Sequence, residues 1–346
     1  MATVDVTIFG AGAFGLAVGY ACARRKARVR VIDPNGVAAG SSGGVVGALA
    51  PHVPENWNDK KEFQFQSLDM AAKFWAEVAE ISGEHAGYVR SGRLQPLADE
   101  RAIELAQTRT EYARELWRGK YEWQVAGAGD FGDWCPPTPT GQVVWDNLSA
   151  LMHPRMACHA LASAIVALGG EIVTEGAAEG KILHATGWRG LIELSETVGK
   201  NVGNGVKGQA AVLQYNGWLL PQLFADSLHI VPHANGTVAI GSTSEREFVA
   251  PDTTDDQLDD IIARAIAAFP VLKDAPVIER WAGVRPRAKS RAPMIGHHPL
   301  RDGEFIANGG FKIGFGMAPK IGEVMADLML DGHDAIPDGF KPTASM

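Results

Sequence analysis

Apolar residues are grouped at the start of the chain: Val4, Val6, Ile8 and Phe9 form a short block that predicts a buried strand. Gly10, Gly12 and Gly15 follow, and a helical pattern then runs to about Arg25. A second apolar run over 28–32 predicts another strand, ending at Asp33. Apolar residues three and four apart predict long helices over 61–81 and 99–119. Trp, Pro and Gly crowd 117–145 and predict irregular structure. His153-Pro154-Arg155 opens a further helix that ends at Gly169-Gly170. Strands are predicted over 171–174 and 181–185, and Ala185-Thr186-Gly187 reads as a turn. From 208 to 241 short apolar runs broken by Gly, Pro and Asn predict antiparallel sheet. A helix over 254–269 carries Asp255, Asp256, Asp259 and Asp260 in its first turns, where the dipole favours them. A strand-like stretch at 277–284, a strand near 304–307, a Gly-rich turn and a helix to about Leu330 complete the pattern.

A parallel βαβ opening, an antiparallel middle and a return to Gly-rich turns predict an α/β fold, α+β overall. The expected arrangement is a Rossmann-like lobe interleaved with an antiparallel-sheet lobe. The division predicted is 1–55, 146–205 and 283–340 for the dinucleotide lobe, and 56–145 and 206–282 for the substrate lobe.

Gly10-x-Gly12-x-x-Gly15 follows a strand and opens a helix, which is the context a dinucleotide fingerprint requires. Gly10 allows a tight turn, Gly12 lets backbone approach a pyrophosphate, and Gly15 lets helix and strand pack closely. The helix N-terminus adds free N–H groups and a positive dipole end. Asp33 is placed to accept hydrogen bonds from a ribose diol, and its charge disfavours the 2′-phosphate of NADP. The fingerprint does not separate FAD from NAD. Ser41, Ser42, Gly43 and Gly44 come just after Asp33 and suit a backbone that wraps an extended second nucleotide, which favours FAD.

The net charge of −8 is spread along the chain and argues against a nucleic-acid partner. No apolar run reaches transmembrane length, and the N-terminus lacks a secretion signal. The three cysteines, Cys22, Cys135 and Cys158, show neither disulfide nor metal-ligand spacing, so no metal is expected and a reducing cytoplasm is the simplest setting. Assembly into a homo-oligomer is left open.

The sequence resembles the D-amino-acid oxidase superfamily, and within it the glycine oxidases most closely. The matching stretches are 10–17 (with Ala13 and Phe14 inside the fingerprint) and Asp33, 41–51, 185–187, 206–209, 230–232 with 241–243, 281–286, and 308–319. The resemblance implies an FAD lobe and an antiparallel sheet that roofs the flavin, with substrate between them. It implies oxidation of a C–N bond next to a carboxylate by hydride transfer to flavin, then imine hydrolysis and reoxidation by oxygen to hydrogen peroxide.

The resemblance also implies site residues. Ala185, Thr186 and Gly187, and Gly314, Phe315, Gly316 and Met317 at the entry to the last helix, would border FAD. Arg285 matches the arginine that holds the substrate carboxylate, a role suited to a planar guanidinium. His229, Ser244 and Lys312 fall where glycine oxidases carry a tyrosine, a methionine and an arginine, so the substrate is expected to differ. His52, in Ala50-Pro51-His52, reads as a residue near the flavin ring. No cysteine follows Cys158, so FAD is expected to be non-covalent, unlike the covalent flavin of sarcosine oxidases. The segment 170–185 is short for the family, which places the adenine end in question. Three functions remain: an amino-acid or amine oxidase with oxygen as acceptor, a flavin dehydrogenase using a quinone or protein acceptor, and a non-catalytic FAD-binding subunit. The acidic balance weighs against a tRNA-modifying relative.

Overall fold

Two large sheets organise residues 4–346, the part of the chain that the computed structural model describes. The first has six strands in the order Met294–His297, Phe305–Asn308, Lys181–His184, Val6–Phe9, Val29–Ile32, Glu171–Val173. All neighbours run parallel except Met294–His297, which is antiparallel to Phe305–Asn308. Parallel strands are covered on both faces, and Val6, Ile8 and Val31 are accordingly fully buried. The helix Ala13–Arg24 is buried along all but its last residue. It shares the largest core with Asp59–Ser82, Pro154–Ala167 and Gly314–Ala326. Small residues permit the crossing of first and last helices: a Cβ on Gly322 would lie 2.7 Å from the Ala17 carbonyl oxygen.

The second sheet has eight strands: Val277–Ala288, Gly203–Gln214, Thr237–Gly241, Leu228–Pro232, Gln222–Ala225, Arg93–Pro96, Gln142–Asp146, Trp123–Gly127. Only Gln222–Ala225 against Arg93–Pro96 is parallel. Strand alternation divides its side chains between two faces. Ala211, Leu213, Ile230 and Ile240 pack with Leu258, Ile261 and Ala265 of the helix Asp256–Ala268. Ala210, Val212 and Ala239 meet Val45 of the Ser/Gly loop instead. The loop that follows the dinucleotide turn is thereby pressed onto the roof sheet. The strand Val277–Ala288 passes through position 283, where the two lobes were expected to divide, without a break.

Two local expectations need correction. The stretch 117–145 contains two strands, Trp123–Gly127 and Gln142–Asp146, whose pairing with each other and with Arg93–Pro96 overrides a turn-rich composition. The turn at 185–187 opens a helix, Gly187–Val198. Pro319 lies inside the last helix, which begins at Gly314. The next amide, Lys320 N–H, donates to Ser67 Oγ at 3.3 Å.

Candidate active site

The dinucleotide turn is shaped by close approaches that only glycine allows. Gly10 has φ of +111°, and a Cβ there would lie 2.3 Å from the Ala185 carbonyl oxygen. A Cβ on Gly15 would lie 2.0 Å from the Gly10 carbonyl oxygen. Both glycines are demanded by the protein's own packing. Gly12 differs: a Cβ there would meet only Ser42 Oγ, at 3.1 Å. The fold does not require a glycine at that position, whereas a pyrophosphate approaching the backbone would. Gly12 has no side chain to cap the helix behind it, and Ser42 Oγ takes only its first amide, Ala13 N–H, at 2.9 Å, so the amides that follow are left for an anion.

Asp33 and Ser42 are fastened to this turn. Asp33 Oδ2 accepts from Ala11 N–H at 2.9 Å and Oδ1 from Asn35 N–H at 3.0 Å, which aims the carboxylate at the top of the strand. Ser42 Oγ accepts from Ala13 N–H at 2.9 Å. Ser41–Gly43 form a single 3-10 turn, and a Cβ on Gly43 would lie 2.2 Å from the Ala38 carbonyl oxygen. Ala185 N–H donates to the Phe9 carbonyl at 2.8 Å, and Asn308 Nδ2 donates to the Gly187 carbonyl at 2.9 Å. Thr186 lies between them, at the N-cap of the Gly187–Val198 helix. Phe14, in the fingerprint, reaches Gly310: a Cβ on Gly310 would lie 2.6 Å from its ring. The segments 10–15, 33, 41–43, 185–187 and 308–310 therefore converge. Gly314, Phe315, Gly316 and Met317 open the last helix beside them, and Met317 and Gly316 are buried, so contact with a ligand there would come through backbone. A glycine cradle, a helix N-terminus taken by a side chain at one amide only, and an acid at the end of the second strand fit FAD.

Arg285 stands opposite Val206 on the roof sheet. Its Nη1 donates to Ser242 Oγ at 2.8 Å, and its Nη2 donates to the carbonyls of Thr243 and Lys207 at 2.7 and 3.1 Å. Gly208 makes room, since a Cβ there would lie 2.1 Å from Nη2. Nε is buried without a partner. Among the described residues no carboxylate oxygen lies within 4 Å of this guanidinium. Burial lowers its pKa to about 10, with Glu245 acting in the opposite direction. Both edges of a guanidinium that can grip a carboxylate in two places use Nη2. Two parallel bonds would therefore require Nη2 to release a carbonyl, whereas Nε–H and the second Nη1 hydrogen are free now.

Behind Arg285 lies a buried polar network that sequence reasoning missed. Glu245 Oε1 accepts from Gln209 Nε2 at 3.1 Å and from the Thr243 hydroxyl. Lys207 Nζ lies 3.5 Å from Glu245 Oε2. Gln209 also binds Asp255, which caps the helix Asp256–Ala268: Nε2 donates to Asp255 Oδ1 at 2.7 Å and Oε1 accepts from Asp255 N–H at 2.8 Å. Lys207 and Thr243, whose carbonyls hold Arg285, are thus themselves anchored through Glu245.

The other expected residues divide. His229 lies on the roof with Nδ1 buried and unpartnered. Burial, then repulsion from Arg93 and Lys312, lowers its pKa to about 3, so the ring is neutral. Ser244 is exposed; Ser242, two residues earlier, supplies the hydroxyl at Arg285. Lys312 is exposed as a residue, but its ammonium reaches back to 5.8 Å from the Phe311 ring centroid, and burial lowers its pKa. Arg285 and Arg287 approach the same ring at 5.6 and 5.1 Å. His52 borders a cavity of about 220 Å³ with Lys60, Arg287, Arg291, Phe311 and Ile313. Its backbone N–H donates to Gln64 Oε1 at 2.8 Å, and its Nδ1 meets the same oxygen. Nδ1 therefore carries the proton, and Nε2 is left as an acceptor. Arg93, not singled out from sequence, is buried; its Nε donates to Asp146 Oδ2 at 3.0 Å and its Nη2 is unpartnered. Among the described residues no group of three His, Cys, Asp or Glu is placed to hold a metal. Nor is any helix among them long and apolar enough to cross a membrane.

Comparison with known proteins gives the same picture. A family model described as FAD dependent oxidoreductase matches residues 5–328. Glycine oxidase of Geobacillus kaustophilus is 26% identical, over 94% of this chain and 92% of its own. The crystal structure of glycine oxidase from the same organism superposes with a TM-score of 0.85 at 21% identity, covering 97% of each chain. The fold is also shared with L-proline dehydrogenase from P. horikoshii, at a TM-score of 0.80 and 17% identity, over 98% of this chain and 97% of that one.

Proposed function

The chain belongs to the DAO family of FAD-dependent oxidoreductases, and from that premise we propose that it oxidises the C–N bond of a small amino acid or N-substituted amino acid. The observation that carries this reading is Arg285. A guanidinium largely withdrawn from water, with a spare Nε–H and no carboxylate beside it, is an unsatisfied charge that an anionic ligand would satisfy. FAD, when bound, supplies the acceptor for the hydride lost from the substrate carbon.

Each neighbouring residue then has a task. Gly12, Asp33, Ser42 and the 185–187 turn hold the dinucleotide. Arg285, steadied by Ser242 and the Glu245 network, fixes the carboxylate and with it the reacting carbon. A substrate ammonium must lose a proton before its C–H bond can give up a hydride. Arg287 and Lys312 stand near enough to oppose a second positive charge and favour that loss. His52 Nε2 is an acceptor for the proton, whereas the His229 ring, held neutral by burial, accepts a hydrogen bond and not a charge.

FAD is read as non-covalent: Cys22 and Cys158 are fully buried with thiols pushed up to about 12, and Cys135 lies in the roof lobe beside Trp134. Oxygen is the proposed acceptor, with hydrogen peroxide as product. An anaerobic screen of amino acids and N-methyl amino acids for flavin bleaching tests the reductive half. Bleaching by an amino acid but not by its decarboxylated amine is the expected result; bleaching by neither removes the reading. Oxygen uptake then decides the acceptor, and rapid turnover only with an added quinone would make the protein a dehydrogenase.

A further inference from the structure

We propose that the substrate carries a second carboxylate, and that Lys312 and Arg287 receive it beside the Phe311 ring, beyond the group held by Arg285. The proposal rests on the amino-acid reading of Arg285 and extends it to the substrate's other end.

The basis is an excess of cations with too little negative charge to match: Glu245 acts on Arg285, but it lies beside Lys207 as well. Lys60, Arg287 and Arg291 border the cavity of about 220 Å³, and Arg285 and Lys312 reach the same phenyl ring as Arg287. Among the described residues none of these five is within 4 Å of a carboxylate oxygen. Elsewhere basic side chains routinely find partners: Arg30 meets Glu171 at 2.6 Å, Arg109 meets Glu55 at 2.8 Å and Arg280 meets Asp259 at 2.8 Å. A chain with 40 acidic and 32 basic residues has carboxylates to spare, yet among the described residues it places none in contact with these five. Like charges gathered in this way repel, and the lowered pKa values of Lys60 and Lys312 register both burial and that repulsion. Lys60 relieves part of it by donating to the Arg291 carbonyl at 2.6 Å. Phe311 offers one ring to three cations, which leaves the cluster far from neutral.

One carboxylate on Arg285 would not use this charge. A second, a few bonds away, would meet Arg287 and Lys312, and Lys60 and Arg291 would lend a long-range field at the mouth. A monocarboxylated amino acid would leave these cations uncompensated. The geometry therefore favours a dianionic amino acid over a small neutral one.

The test uses the FAD-bound protein and two probes that differ by one carboxylate, glutarate and butyrate, titrated calorimetrically. Glutarate is expected to bind about tenfold more tightly or better. In the Arg287→Gln, Lys312→Gln double variant that ratio should collapse towards one. Lys312→Gln alone, a change at an exposed position, provides a partial collapse should the double variant fail to retain FAD. Flavin absorbance of each variant checks that the holoprotein is compared. Equal binding of the two probes by the wild type overturns the proposal. So does an equal loss for both probes in the double variant, which would assign the two cations to the first carboxylate or to the flavin. Arg285→Gln separates the two levels. If it weakens both probes while they bind the wild type equally, only the second carboxylate is lost. If it weakens neither, the carboxylate reading of Arg285 goes as well, and this proposal with it.

Discussion

The dinucleotide turn and the roof over it are built from opposite materials. The turn is made of backbone: Gly10, Gly12, Gly15 and Gly43 leave space, and amides and carbonyls do the holding. The roof is made of side chains brought from distant strands, with charges that compensate one another only in part. A backbone site tolerates little change in shape but asks little of any one side chain. A side-chain site keeps its fold when a residue is trimmed and loses its chemistry. Substitutions at the first should therefore change cofactor content, together with stability where the glycine is packed against protein backbone, and substitutions at the second should change kinetics alone.

The largest effect should come from Gly15→Ala. Its new methyl would lie 2.0 Å from the Gly10 carbonyl, backbone that cannot rotate away. A loss of about 3 kcal/mol or more in stability and a preparation with little FAD are expected, read by chemical denaturation and flavin absorbance. A stable, fully yellow variant would show that the turn is looser than its packing implies. Next is Arg285→Ala, which should lower kcat/KM for a carboxylated amine by roughly tenfold to several hundredfold. Arg285→Lys should recover part of that loss, and FAD content should hold. Comparable losses with the decarboxylated amine would remove the distinction between roof and turn.

Gly12→Ala is the sharpest probe of the comparison. Because only Ser42 Oγ lies near its added methyl, stability should stay within about 0.5 kcal/mol of wild type. FAD affinity should fall roughly tenfold by fluorescence titration, since the methyl blocks the approach to the pyrophosphate. Paired losses at Gly15 and separated ones at Gly12 are the expected contrast.

The smallest effect concerns pH. His229 and His233 are held neutral by burial, each with a pKa lowered to about 3 from 6.5. The unfolded chain gains their protons on acidification before the folded one does, so stability is full above pH 6.5 and declines as the pH falls towards 3. Between pH 7 and 5.5 each should cost about 1 kcal/mol. His233→Gln should flatten part of that decline in urea titrations, and an unchanged slope would place the titrating groups elsewhere.

Much of the turn could be read directly from sequence. A close approach between residues a few positions apart constrains residue types locally, and Gly10, Gly15, Asp33 and Ser42 occupy the positions their spacing suggested. The roof could be read only where a resemblance supplied it. The hydroxyl at Arg285 comes from Ser242, not Ser244, because the chain leaves its strand at Gly241 and alternation no longer sets which side chain faces in. Gln209, Lys207 and Glu245 look in sequence like ordinary polar residues near strand ends. Gln209 finds its partner in Asp255, which arrives from far along the chain. Arg93 escaped notice for the same reason, since Asp146, its partner, lies across a stretch that composition marks as irregular.

The order of strands in the first sheet also carries a consequence in time. Val6–Phe9 pairs on one side with Lys181–His184, which pairs in turn with Phe305–Asn308. During synthesis the opening strand must wait for Lys181–His184, and that strand must wait in turn for Phe305–Asn308. At about 5–20 residues per second, the interval is a quarter of a minute to a minute. Asn308, whose side chain holds the Gly187 carbonyl, arrives only then. The nascent chain therefore carries its cofactor fingerprint well before the strands around that turn are complete.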